Sequence, residues 1–193
     1  MMKILKTYFA TYYKHYHLLM TQKLGLLPHP SSDLAGEAID KTLISDLLDV
    51  MEATRSDFTN TFYAFSSIPL PKANDSIESR RDFVRVHLMK GRSEERNIDK
   101  WLDWLDRYTS RLGEDGDEDN RIKRMMRTNP KYVLRNHLAQ RAIEKADVGD
   151  FAEVNTLLRV LSSSFSEDRQ SQDDDYTLPY PSSASPIRVS CSS

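Results

Sequence analysis

Apolar residues recur along this chain at intervals of three and four, the spacing of one face of an α-helix, and never alternate over a strand's length. Leu5, Tyr8, Phe9, Tyr12, Tyr16, Leu19 and Met20 mark one helix over 3–24 with a broad apolar face, ended by Gly25. Aromatics on such a face are normally core. After the loop Pro28-His-Pro-Ser-Ser32, a helix over 37–54 carries Ile39, Leu43, Leu47, Leu48 and Met51 on one side. Ser56 or Asp57 caps a short helix through Phe58, Phe62 and Phe65, which Ile68-Pro-Leu-Pro71 breaks. Helices over 76–90 and 97–112 follow, the second with Trp101, Leu105, Tyr108 and Leu112 on a shared face. Gly113 and the acidic run from Glu114 to Asp119 make an exposed turn.

Asn129 is a good N-cap and Pro130 suits the first helical position, so a helix is expected over 130–147 with Gly149 closing it. Asp150 and Glu153 form a capping-box-like start to another over 151–162. Val133, Leu134, Leu138, Ala142 and Ile143 are expected to share a core with Leu157, Leu158 and Leu161. From Ser163 on, Ser, Asp, Gln and Pro dominate and order should fade. The pattern predicts an all-α fold over 1–162 and a flexible tail over 163–193.

Charge and composition exclude little. A net charge of −2 gives no overall pull toward nucleic acid or an anionic membrane. One cysteine forms no internal disulfide, so the fold does not depend on an oxidising compartment. No apolar run approaches the ~20 residues of a membrane span, and no signal peptide is expected. Residues 1–32 hold no acid and carry Lys3, Lys6, Lys14 and Lys23, as a mitochondrial presequence would. The same stretch has no Arg and no Ser before residue 31, which speaks against that role.

Candidate chemistry is sparse. The six glycines never cluster as a phosphate cradle requires, and the nearest case, Gly113-Glu-Asp-Gly116, holds two carboxylates that repel a phosphate. Asp147-Val-Gly149 superficially matches a kinase metal-binding tripeptide, yet its place between two helices makes it a connection. Asp115, Asp117 and Asp119 imitate the start of a calcium loop, but Asn120 stands where Gly is needed and Met126 where a bidentate Glu is needed. His15, His17, His29, His87 and His137 show no compact metal-ligand spacing. A basic run is the strongest remaining signal: Arg121, Lys123, Arg124, Arg127, Lys131 and Arg135 with no acid between them. It suits phosphates of nucleic acid, or equally the acidic loop that precedes it, or carboxylates of a region outside this chain.

The wording from Asn129-Pro-Lys-Tyr-Val-Leu-Arg-Asn-His-Leu-Ala-Gln140 through Gly149-Asp-Phe-Ala-Glu-Val to Leu157-Leu-Arg-Val-Leu161 closely resembles the C-terminal region of the selenoprotein O (SelO) family. Met20-Thr-Gln-Lys-Leu-Gly-Leu26, Asp57-Phe-Thr-Asn-Thr-Phe62 and the final Ser190-Cys-Ser-Ser193 resemble further stretches of it in the same order. The family consists of kinase-fold protein adenylyltransferases that move AMP from ATP onto protein hydroxyls. The resemblance implies a helical C-terminal part of a kinase-like fold. Nucleotide-binding and catalytic residues would lie upstream of residue 1, so no catalytic, cofactor-binding or metal position is assigned here. ATP and Mg²⁺ are implied for the full-length family only. The implied partners are the missing kinase-like region, whose surface covers the aromatic helix face, and protein substrates; a membrane is not implied, and the match accounts for the basic run without nucleic acid. Cys191 stands where some members carry selenocysteine and would be the redox residue. The family's Trp after its tail prolines is absent from Pro179-Tyr-Pro-Ser-Ser-Ala-Ser-Pro186. The implied compartment is cytoplasmic in a bacterium and mitochondrial in a eukaryote. The alternative is a stand-alone helical interaction or phosphate-binding module using residues 121–135.

Overall fold

A computed structural model describes residues 2–29, 33–72, 74–89, 95–113, 118–165 and 171–180. Every regular element among them is helical, and the chain divides into two compact units, residues 1–129 and 130–193. The all-α expectation holds.

The first unit contains α1 (Met2–Lys23), α2 (Leu34–Thr54), α3 (Phe58–Ser67), α4 (Ile77–Phe83), α5 (Glu95–Gly113) and α6 (Glu118–Thr128). Short polar side chains set the starts. Asp33 accepts from the Gly36 amide and Asp57 from the Asn60 amide, each at 2.9 Å, satisfying donors that the first turn leaves open. Helix α4 passes directly into a wider π-helical turn, Val84–Leu88, whose Val84 and Leu88, with the following Met89, are buried. Packing centres on α5, which lies along α2 while α3 lies along α6. Trp101, Trp104, Leu105 and Tyr108 meet Leu43 and Leu47 of α2 and Phe62 and Phe65 of α3 in one core. Phe65 stacks on Trp104 at 5.5 Å and Trp104 on Tyr108 at 4.8 Å. Burying aromatics of this size supplies most of the driving force, and the indole N–H of Trp104 is satisfied by the Leu43 carbonyl at 2.9 Å.

The acidic turn expected up to Asp119 ends earlier than the sequence suggests: α6 begins at Glu118 and runs through the first four basic positions. Residues 114–117, with Asp115 and Asp117, lie outside the described residues.

The second unit is a hairpin of α7 (Asn136–Asp147) and α8 (Ala152–Ser162). Gly149, at φ +87°, turns the chain between them, and its amide and that of Asp150 close the last carbonyls of α7. Three expectations need correction. Helix α7 starts at Asn136, not at Pro130, because Asn129 is drawn into the first unit's core instead of capping. Leu138, Ala142 and Leu157 form the small core, whereas Leu134, Ile143 and Leu158 are more than half exposed. Order does not end at Ser163 either. Residues Ser171–Thr177 form a 3₁₀ turn held by paired hydrogen bonds from Arg159 to Asp173, both 2.8 Å, and by Lys131 to Asp174 at 2.8 Å. Residues 181–193, with Cys191, lie outside the described residues.

Candidate functional site

The C-terminal end of α1 is where most of the sequence signals converge. The amides of Leu24, Gly25 and Leu26 close the carbonyls of Met20, Gln22 and Thr21, and side chains from later in the chain take the carbonyls that follow. Asn129 Nδ2 donates to the Lys23 carbonyl at 2.8 Å, Tyr108 OH to that of Leu24 at 2.6 Å, and Arg124 Nη2 to that of Gly25 at 2.8 Å. Arg111 Nη2 completes the series on the Leu27 carbonyl at 2.9 Å. Two of the four donors are cations, which the negative end of the helix dipole favours. Gly25 is required twice over: its φ is +67°, and a Cβ there would sit 2.7 Å from Met125 Cγ and 2.8 Å from Arg121 Cγ.

Arg121 is buried against this turn. Its Nη1 donates to the Phe65 carbonyl at 2.9 Å, and its Nε donates to Glu118 at 2.6 Å. The first cation of the basic run therefore pairs with the end of the acidic run, one of the outcomes its composition allowed. Asn129 also donates to Ser66 Oγ at 3.0 Å and accepts from Lys23 Nζ at 3.2 Å. Lys23 Nζ lies over the rings of Phe58 and Phe62, and burial lowers its pKa from the usual lysine value. Burial likewise raises the Tyr108 phenol above its ordinary range. These groups lock a turn.

The opposite end of α1 behaves differently. Tyr8, Tyr12 and Tyr16 stack in succession at 6.3 and 6.1 Å, with Phe9 and Tyr13 edge-on beside them. Tyr8, Phe9, Tyr12 and Tyr13 are each at least half exposed, at 61%, 54%, 50% and 63%. The face expected to be core is buried only from Met20 onward. The rings form a continuous, exposed aromatic ridge along α1.

The other sequence candidates resolve into structure. His29 Nδ1 lies 3.2 Å from Asp33, and its Nε2 is 3.1 Å from Asp40 without hydrogen-bond geometry. Asp40 is held by Arg111 at 2.9 Å. No group of three metal-ligating side chains occurs among the described residues. Asp147-Val-Gly149 connects α7 to α8, as its position implied. Glu153 does not close a capping box. It is buried and accepts from Arg141, Lys145 and Tyr176 at 2.9, 3.1 and 3.0 Å. Burial works against its charge, but these donors outweigh it and hold the carboxyl below its ordinary pKa. Nothing in the periodicity singled out Glu153, because its partners come from α7 and from the tail. No helix among the described residues is long and apolar enough to cross a membrane.

Comparison with known proteins fits this picture. The family described as protein adenylyltransferase SelO matches residues 1–162. Proteins named protein nucleotidyltransferase YdiU are similar throughout. That of Burkholderia thailandensis is 38% identical over 175 residues, and that of Burkholderia pseudomallei 37% over 175. Each match covers 90% of this chain and 30% of the relative. That of Cupriavidus metallidurans is 34% identical over 187 residues, 96% of this chain and 30% of the relative. The chain thus spans under a third of the length of the relatives it matches.

Proposed function

The chain belongs to the SelO family of protein adenylyltransferases, and on that premise we propose that it is the C-terminal helical part of such an enzyme, catalytically silent by itself. In this reading ATP, Mg²⁺ and the residues that move AMP onto protein hydroxyls belong to the portion of the relatives that the chain does not span. Its own contribution is a helical scaffold on which that kinase-like portion sits. The observation that carries the reading is the aromatic ridge of α1. A self-contained domain rarely leaves four neighbouring aromatic rings half exposed or more, whereas a surface that normally meets another part of the protein does. Cys191 belongs to the same reading as a redox group on the tail.

Two measurements test it. Calorimetry with ATP and Mg²⁺ on the 193-residue chain is expected to give no heat of binding; micromolar affinity would show a nucleotide site within these residues. Mixing the chain with the unspanned portion of the Burkholderia thailandensis relative should yield a complex, and AMP transfer from labelled ATP within it. Tyr8→Ser with Tyr12→Ser should abolish that complex. A complex insensitive to both substitutions would show that the ridge is not the contact.

A further inference from the structure

In the second unit, the 3₁₀ turn Ser171–Thr177 is seated on the α7–α8 hairpin as a bound peptide would be. Tyr176 packs against Leu138 and Ala142 of α7 and Leu157 of α8, the small core of this unit. Its hydroxyl donates to Glu153 Oε1 at 3.0 Å, and the Arg141 guanidinium lies 5.1 Å from the ring centroid. Arg141 and Lys145 offset the Glu153 carboxylate, so it stays charged and able to accept. Upstream, Asp173 takes two nitrogens of the Arg159 guanidinium at 2.8 Å each, and Asp174 takes Lys131 Nζ at 2.8 Å.

Two features distinguish this seat from a tail resting on a surface. With the turn in place Lys131 and Glu153 are 4% and 7% exposed, and each has a partner in the turn, an acid for the one and a phenol for the other. Charge is buried in this way only where it is matched, so the hairpin presents a specific pattern rather than a general stickiness. The segment itself is lightly held. Tyr176 is its one apolar side chain, and the Arg159 end of the Asp173 pair is more than half exposed, where ion pairs contribute little. A segment with so few buried contacts lifts far more readily than the unit unfolds.

We infer that this face of the α7–α8 hairpin is a recognition site for a short protein segment of the form Asp-Asp-x-Tyr, filled in cis by the chain's own Asp173, Asp174 and Tyr176 and open to the same kind of segment on a partner protein when this strap lifts. Arg159 and Lys131 select the two acids, the apolar floor takes the ring, and Glu153 selects its hydroxyl, which separates Tyr from Phe. The site stands apart from the adenylyltransferase reading, and its failure leaves that reading untouched.

The probe is a synthetic peptide of residues 171–180, capped at both ends and fluorescently labelled, titrated with the full chain by anisotropy. A short tether gives the cis segment an effective concentration on the order of millimolar, so a site with an intrinsic Kd of about 100 µM is about tenfold harder to reach in trans. The full chain with its strap released by Asp173→Asn and Tyr176→Ala should therefore bind the peptide about tenfold more tightly than the wild type does. On the released chain, a peptide carrying Tyr176→Phe should bind about tenfold more weakly, the loss expected of a hydrogen bond to a charged acceptor. Adding Arg159→Gln to the released chain should weaken the parent peptide several-fold. Circular dichroism checks folding; if the released chain has lost helix, Asp173→Asn with Asp174→Asn, which leaves Tyr176 on the core, takes its place with the same order of affinities expected. No saturable binding by a folded, released chain would overturn the inference. So would equal affinity of the wild-type and released chains, or binding undiminished by both the Phe peptide and Arg159→Gln.

Discussion

Replacing Asn129 separates two roles that its sequence context suggests. As a helix N-cap, Asn129 would lose about 1 kcal/mol on mutation to Ala, and Asp or Ser would serve nearly as well. In the structure it is instead fully buried, with three side-chain hydrogen bonds to Lys23 and Ser66. Two are neutral, worth about 1 kcal/mol each, and the third receives a proton from a lysine, worth about 1.5 kcal/mol or more. Asn129→Ala should therefore cost about 3–4 kcal/mol, or roughly 10 °C in Tm for a chain of this size. Asn129→Asp is the sharper variant. It keeps the partner for Lys23 but turns an oxygen toward the Lys23 carbonyl and toward Ser66 Oγ, whose own proton already goes to the Phe62 carbonyl at 2.6 Å. It should lose at least about 2 kcal/mol, since a buried acceptor then faces acceptors. Both tryptophans, Trp101 and Trp104, are buried in the same unit, so urea unfolding followed by their fluorescence reads this unit alone. An Asp variant as stable as the wild type, with an Ala variant down by only about 1 kcal/mol, would refute the reasoning and restore the cap.

The second unit offers parallel tests. Leu138→Ala should cost about 2–5 kcal/mol, as large-to-small changes in a core do, while Leu158→Ala, at an exposed position, should stay within about 0.5 kcal/mol; equal effects in thermal melts would deny the packing. The Glu153 carboxyl titrates below its ordinary 4.5, so its contribution is complete above that pH and is lost as pH falls through the lowered value. Glu153→Gln should accordingly destabilise the α7–α8 hairpin at pH 7 and shrink its difference from wild type at pH 3, by circular dichroism; a Gln variant as stable at pH 7 removes the basis. Cys191→Ser should leave stability within about 0.5 kcal/mol, and a thiol reagent should label the native chain; reaction only after denaturation would sink the redox reading.

Helices were legible because burying one face writes a period into the sequence: Trp101, Leu105 and Tyr108 predicted α5, and Leu43 and Leu47 predicted α2. Caps were legible where they are local, as at Asp57 and Gly149. What failed depends on partners distant in sequence. Asn129 and Pro130 have every local property of a helix start, yet Lys23, 106 residues away, claims the Asn129 side chain. Glu153 likewise abandons a capping box for Arg141, Lys145 and Tyr176. The order at residues 171–177 was hidden because it rests on ion pairs from Arg159 and Lys131 and on a single aromatic, Tyr176, packed on the small core, too little apolar surface to write a period. Family resemblance supplied what periodicity withheld, since it compares the wording of a turn such as Lys23-Leu-Gly-Leu26 rather than its hydropathy. It did not reveal why that glycine is there; Met125 and Arg121 against it do.

The basic run shows why a count of cations is a poor guide to a polyanion. Affinity for nucleic acid scales with the number of phosphates neutralised, and log K falls with log salt at about 0.9 per contact. Six free cations would make such binding substantial. In the first unit, however, Arg121 would have to release the Phe65 carbonyl and Glu118 to reach a phosphate, leaving buried groups unpaired, and Arg124 would have to release Gly25. In the second unit, Lys131 is buried and paired with Asp174. Arg135 is half-buried and engaged in an interaction of its own, which leaves Lys123 and Arg127 exposed on α6, one turn apart. Two contacts give a salt slope of only about 2, far short of the six to ten that tight non-specific binders use. Arg121 and Arg124 instead spend their donors on the Phe65 and Gly25 carbonyls around the turn after α1.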